Sequence, residues 1–170
     1  MVRRLALAAL AVGAMTCSLD PVKSEATSDL GDEAPGVSPG PLHRAGQPCL
    51  VCHDGTTSTP VMSVAGTVYG VRGSDAPLAG ASVFLTDANG SAFTATSNAA
   101  GTFYVEASVW QPVYPLRVAV AFGGFTATMS SIIGREGSCA GCHVDPSSRI
   151  SAGRIYLVPT ASLFPDGGAR

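Results

Sequence analysis

The chain has 170 residues, which suits one domain with short appendages. Charged residues make up 13%, about half the usual share, and the formal net charge is −2. The 20 glycines and 12 prolines place turns throughout the chain, which excludes a largely helical fold. There is no basic block, so the composition also argues against a nucleic-acid partner.

The first sixteen residues have the pattern of a signal peptide. Arg3 and Arg4 precede an uncharged apolar run, 5–15, which is too short to form a membrane-spanning helix. The run leads to Cys17, and a small residue three positions before a cysteine resembles a bacterial lipoprotein signal. This resemblance implies that Cys17 is lipidated in an exported protein. An ordinary secretory signal with an incidental cysteine is the alternative.

The rest of the chain divides by composition. Residues 17–43 carry five acidic residues and four prolines without a periodic apolar face, which predicts a disordered tether between the lipid and the folded part. Beyond it we predict a first Cys-x-x-Cys-His segment at 44–60, a β-sandwich at 61–133, a second such segment at 134–152, and a last strand with a flexible tail at 153–170.

Two Cys-x-x-Cys-His motifs carry the predicted chemistry, and the chain has only three histidines. On composition alone, both cysteine pairs are followed by histidine with a probability of about 1 in 3,000. Two thiols at this spacing can add to the two vinyl groups of one haem, and the next residue can ligate its iron. The motifs resemble the attachment sites of cytochromes c. That resemblance implies two covalent haem c groups, held by Cys49, Cys52, His53, Cys139, Cys142 and His143.

The same four thiols allow other interpretations. An oxidising compartment favours structural disulfides. Two Cys-x-x-Cys turns could instead form a tetrahedral zinc site, or one pair could exchange disulfides. None of these alternatives explains why histidine follows both pairs, although histidine can also bind zinc.

A second axial ligand for each iron would come from a small set of residues. His43 lies in a polar flank where no core requires an aromatic ring. Met62 and Met129 are also candidates, but both fall in predicted strands, where methionine more often fills a core.

Short alternating segments between the motifs predict a β-sandwich. In 81–87, for example, Ala81, Val83 and Leu85 share one face, and Asp87 opens a hairpin turn that ends in Asn89-Gly90. The predicted strands are 61–70, 81–87, 91–97, 102–107, 113–122 and 124–133, with a seventh at 153–159.

Three segments of this region, 64–68, 77–83 and 96–103, resemble the carboxypeptidase regulatory-like, or prealbumin-like, family. The resemblance implies an all-β Greek-key sandwich of six to seven strands that acts as a non-catalytic module. The chain carries no nucleophile elbow, P-loop, zinc-protease or dinucleotide motif, so we expect neither an enzyme nor a small-molecule substrate.

Together these patterns predict an exported dihaem cytochrome-like lipoprotein that transfers electrons to or from a redox partner protein. We expect it at the periplasmic face or cell surface, and the outer membrane is the favoured membrane. We also expect the two motifs to lie close together in space, with the first and sixth strands as sheet neighbours or near neighbours. The alternative function is a non-catalytic surface lipoprotein binding module, whose cysteine pairs form disulfides or a structural zinc site.

Overall fold

The computed structural model describes residues 20–158. The predicted signal peptide, Cys17 and the tail from Pro159 onward lie outside the described residues. The chain divides into two units after Asp32.

The described part of the first unit contains one helix, α1 (Pro21–Asp29). Asp20 caps it, because its carboxylate accepts hydrogen bonds from the N–H groups of Val22 and Lys23, and proline suits the first helical position. The segment that composition predicts to be disordered therefore begins with a local helix, none of whose side chains is buried. Across residues 20–158, no helix combines the length and the apolar character needed to cross a bilayer.

The second unit is an all-β sandwich, as predicted. Its seven strands form a three-stranded sheet in the order β4-β1-β7 and a four-stranded sheet in the order β3-β2-β5-β6. The strands are β1 (Met62–Val71), β2 (Ser82–Thr86), β3 (Ala92–Thr96), β4 (Thr102–Glu106), β5 (Arg117–Phe122), β6 (Phe125–Thr128) and β7 (Ile155–Val158).

The core lies between the two sheets and follows the predicted alternation. Ala81, Val83 and Leu85 point inward and are fully buried, whereas Phe84 between them is exposed. Phe103 on β4 is the largest side chain that is fully buried. At the hairpin after β2, Asp87 accepts hydrogen bonds from three backbone N–H groups, and these lower the pKa of its carboxyl, the bond from Val113 most strongly.

The neighbour of β1 differs from the prediction. β6 pairs with β5 at the edge of the other sheet, and β1 instead pairs in parallel with β7. The predicted sixth strand also ends early, at Thr128. The expectation that the first and sixth strands are sheet neighbours is therefore wrong, because the chain returns to β1 only at Gly137 and Ser138, just before the second cysteine motif, and then as β7 after it.

That return is made through a close backbone approach. The N–H of Ala65 donates to the carbonyl of Gly137 at 2.9 Å, and Ser138 forms an isolated parallel bridge with Ala65. A Cβ on Gly137 would collide with the carbonyl oxygen of Ser63 and lie 2.9 Å from Cα of Val64. Position 137 therefore requires glycine for reasons of space.

We predict that Gly137→Ala destabilises the protein by about 1–3 kcal/mol, because the backbone of β1 must move to admit the methyl group. Gly134→Ala is the matched control, since a Cβ at that position meets nothing within 4 Å. Urea unfolding followed by circular dichroism measures both variants. Equal midpoints for the two would contradict the proposed close approach.

Candidate functional site

The two Cys-x-x-Cys-His motifs fold in the same way. Each begins with a 3-10 turn, Cys49–Val51 in the first and Cys139–Gly141 in the second. In both, the N–H of the histidine donates to the carbonyl of the first cysteine at 2.9 Å. The residues between the cysteines differ, Leu50-Val51 against Ala140-Gly141, so the shared geometry follows the spacing of cysteine and histidine.

Both motif histidines are oriented by a backbone carbonyl. Nδ1 of His53 lies 2.9 Å from the oxygen of Pro60, and Nδ1 of His143 lies 2.9 Å from that of Gly153. A carbonyl oxygen can only accept, so Nδ1 carries a proton in each ring, and Nε2 is the nitrogen through which the neutral ring would bind a metal. Anchoring of this kind is typical of histidines that ligate a metal through the other nitrogen.

Both turns pack against β1. The first segment is joined to the strand by the Gly46 N–H, which donates to Oγ1 of Thr67 at 2.8 Å, and by the Met62 N–H, which donates to the carbonyl of His53. The second is joined through Ala65 and Gly137. The structure therefore brings together motifs that are ninety positions apart in the sequence.

The thiols of the two motifs differ strongly in environment. Burial raises the pKa of Cys139 to about 12, and the nearby charges of Cys49 and Cys142 add to the shift. Burial also raises the pKa of Cys49. Cys52 is partly exposed and Cys142 is exposed. Cys139 can pack this deeply because Gly66 has no side chain. A Cβ on Gly66 would lie only 2.8 Å from the Cβ of Cys139.

His43 lies beside the first motif. Its ring centroid is 5.7 Å from that of His53, and the rings are tilted by 40°. Nδ1 of His43 also contacts a backbone carbonyl, that of Gly40. The two imidazoles are thus anchored in the same manner, each with Nε2 available.

The two candidate methionines lie at different places in the sandwich. Met129 is partly buried and packs against the hydrophobic core. Met62 opens β1, opposite Glu106 on β4. The N–H of Met62 donates to the carbonyl of His53, so this methionine lies beside the first motif.

Sequence reasoning missed a charged cluster next to the second motif. Arg154, the residue after the Gly153 carbonyl that holds His143, is ion-paired with Asp75 and lies 3.8 Å from Asp145. Its guanidinium also lies 4.8 Å from the centroid of the Tyr69 ring. Each partner comes from a different part of the chain, so sequence spacing carries no signal for this cluster.

The surroundings of the motifs include exposed aliphatic side chains. Leu42 and Val61 flank the first motif, and Val144 and Ile150 follow the second, with Ile150 90% exposed. Next to Cys139, the buried hydroxyl of Ser138 has no hydrogen-bond partner among residues 20–158. Over the same residues, no three His, Cys, Asp or Glu side chains converge as a metal-binding group.

Comparisons with protein-family models, with curated proteins and with solved structures give no match for this chain. The resemblance to carboxypeptidase regulatory-like modules and to cytochrome c attachment motifs stays a prediction.

The thiol environments predict an order of alkylation for the protein produced without haem attachment. At pH 9, only about one in a thousand Cys139 side chains is a thiolate, and the side chain is buried, so Cys139 reacts last. Exposed Cys142 reacts first. Timed iodoacetamide labelling with peptide mass spectrometry measures the order. In urea all four should react together, and early labelling of Cys139 without urea would contradict the structure.

Proposed function

We propose that this protein is an exported, membrane-anchored cytochrome-like protein that carries two covalent haem c groups and transfers electrons. The observation that carries the proposal is the repeated geometry of the two pentapeptides. In both, a 3-10 turn begins at the first cysteine, the histidine N–H donates to that cysteine's carbonyl, and Nδ1 of the histidine is held by another carbonyl. A structural disulfide pair would not require this second feature.

The donor set fits haem c. Cys49 and Cys52 would form the thioethers of the first site with His53 as axial ligand, and Cys139, Cys142 and His143 would do the same at the second. When bound, haem supplies one-electron chemistry between ferric and ferrous iron. The chain orients each imidazole through Pro60 and Gly153 and leaves Nε2 as the nitrogen that would bind the iron.

The exposed aliphatic side chains next to both motifs support the same proposal. Isolated exposed apolar residues are ordinary, but Leu42, Val61, Val144 and Ile150 all lie within eleven positions of a motif histidine. A porphyrin is a large apolar surface, and contact with it would remove such side chains from water.

The scaffold supports electron transfer between the sites. Both turns are joined to one strand by backbone hydrogen bonds, and the Cys49 thiol is close enough to contribute to the raised pKa of Cys139. A strand hydrogen-bonded on both edges is a stiff support, so the separation of the two sites would be held constant. A redox partner protein would approach the exposed second motif.

The closeness of Cys49 and Cys139 also favours the second candidate function, a surface lipoprotein binding module. In that case cysteines from both turns would form a disulfide or contribute to one zinc site. Intact mass separates the candidates, because disulfides remove hydrogens, zinc is lost on denaturation, and haem c stays attached.

We expect the protein to gain the mass of two haems when it is produced in a bacterial strain that matures cytochromes c. Denaturing gels should retain a haem stain, and the pyridine haemochrome should give two haems per chain. Cys52→Ser together with Cys142→Ser should leave no haem held by two thioethers, whereas Ser108→Ala, an exposed site away from both motifs, should change nothing. Zinc or an oxidised, haem-free protein would overturn the proposal.

The membrane anchor is tested separately at Cys17, which lies outside the described residues. We expect Cys17→Ser to release the protein from the membrane fraction, because a diacylated cysteine provides an anchor that one acyl chain does not. Sedimentation after an alkaline wash measures the distribution, with Ser18→Ala as the control. A Cys17→Ser protein that still sediments with membranes would show that the signal is not a lipoprotein signal.

A further inference from the structure

We propose that the two haem sites are unequal, and that only the second is open to a small external ligand such as cyanide or carbon monoxide. This inference rests on the proposed function. It follows from how the three histidines of the chain are distributed, since two lie together at the first site and one lies alone at the second.

At the first site, His43 supplies a second imidazole. The 5.7 Å between the ring centroids of His43 and His53 is near the separation of about 6 Å expected when two imidazoles bind one metal ion at about 2.0 Å from opposite sides. Each ring is anchored through Nδ1 to a carbonyl, on Gly40 and Pro60, so each can offer Nε2. His53 is also buried, which limits access by other ligands.

At the second site, His143 has no such partner. The 170 residues contain no fourth histidine. Met129 packs against the core, and Met62 lies at the first site, where its N–H donates to the carbonyl of His53. The axial position opposite His143 is therefore left without an imidazole or thioether from the described fold.

The surroundings of the second site also favour entry of an external ligand. Cys142 is exposed, and so is every residue from Val144 to Ile150. His143 itself is partly exposed, in contrast to His53. A small ligand can therefore approach from solvent without displacing a buried element.

The choice of ligand follows from the chemistry of a haem with one histidine. Ferric iron of this kind takes small anions, and ferrous iron takes diatomic gases, when the sixth position is free. His143 would hold the second haem from one side, and an external ligand would bind the iron through its own lone pair without a change in oxidation state.

Titration of the purified haem protein tests the inference. We expect one cyanide per two haems in the ferric form and one carbon monoxide per two haems after reduction, with a mixed high-spin and low-spin spectrum before addition. His43→Ala should raise the stoichiometry to two ligands per two haems and add a second high-spin signal. Added imidazole should restore the low-spin state of that haem, whereas Ser108→Ala should behave as wild type.

Three outcomes would contradict the inference. Two low-spin haems that bind neither ligand would show that the second site has an internal partner. Binding of two ligands by the unmodified protein would show that His43 does not occupy the first site. An unchanged stoichiometry in His43→Ala would also overturn the assignment. A protein without any covalent haem would instead refute the proposed function, and haem content measured first distinguishes that case.

Discussion

The hydrogen bonding of β1 is the constraint on which both candidate sites depend. One edge of the strand pairs with β4, and the other is occupied first by the backbone at Ser138 and then by β7. Side chains from Ser63 to Tyr69 are buried on both faces, so the strand is enclosed as a central strand would be. Both cysteine turns take their position from this strand. The β-sandwich is therefore a scaffold that positions the two short cysteine loops, which have little regular secondary structure.

Much of the fold could be predicted because its information is local. The alternation in 81–87 correctly predicted that Ala81, Val83 and Leu85 share one face, which is buried, and that Phe84 lies on the other. The turns at Asp87 and Asn98 marked the ends of strands. The partition into two sheets could not be predicted in this way. The parallel pairing of β1 with β7 joins Val68 to Ile155, and no local pattern records a contact across that distance. The short helix α1 was missed because a single capping residue, Asp20, outweighed the compositional signal of its segment.

The same distinction between local and long-range information applies to the candidate site. The spacing of cysteine and histidine was readable because it lies within five residues. The groups that orient the histidines could not be predicted from the sequence. They are the backbone carbonyls of Pro60 and Gly153, and every residue has such a carbonyl. The meeting of His43 with His53 depends on the turn at Gly46, where a Cβ would lie 2.6 Å from the hydroxyl of Tyr69. Burial of Cys139 was likewise hidden, because its neighbour Gly66 lies more than seventy positions earlier.

The depth of Cys139 has a consequence for the order of biogenesis. If the protein carries haem c as we propose, the enzyme that joins a vinyl group to this sulfur would need the thiol exposed, yet in the folded chain it is enclosed beside Phe103 and Gly66. The second attachment would therefore precede the docking of its turn onto β1. Because β1 is made early and its partners Ser138 and β7 are made last, the nascent chain offers such an interval naturally. Under the proposed function, the three-stranded sheet would then be completed only after the haem is attached.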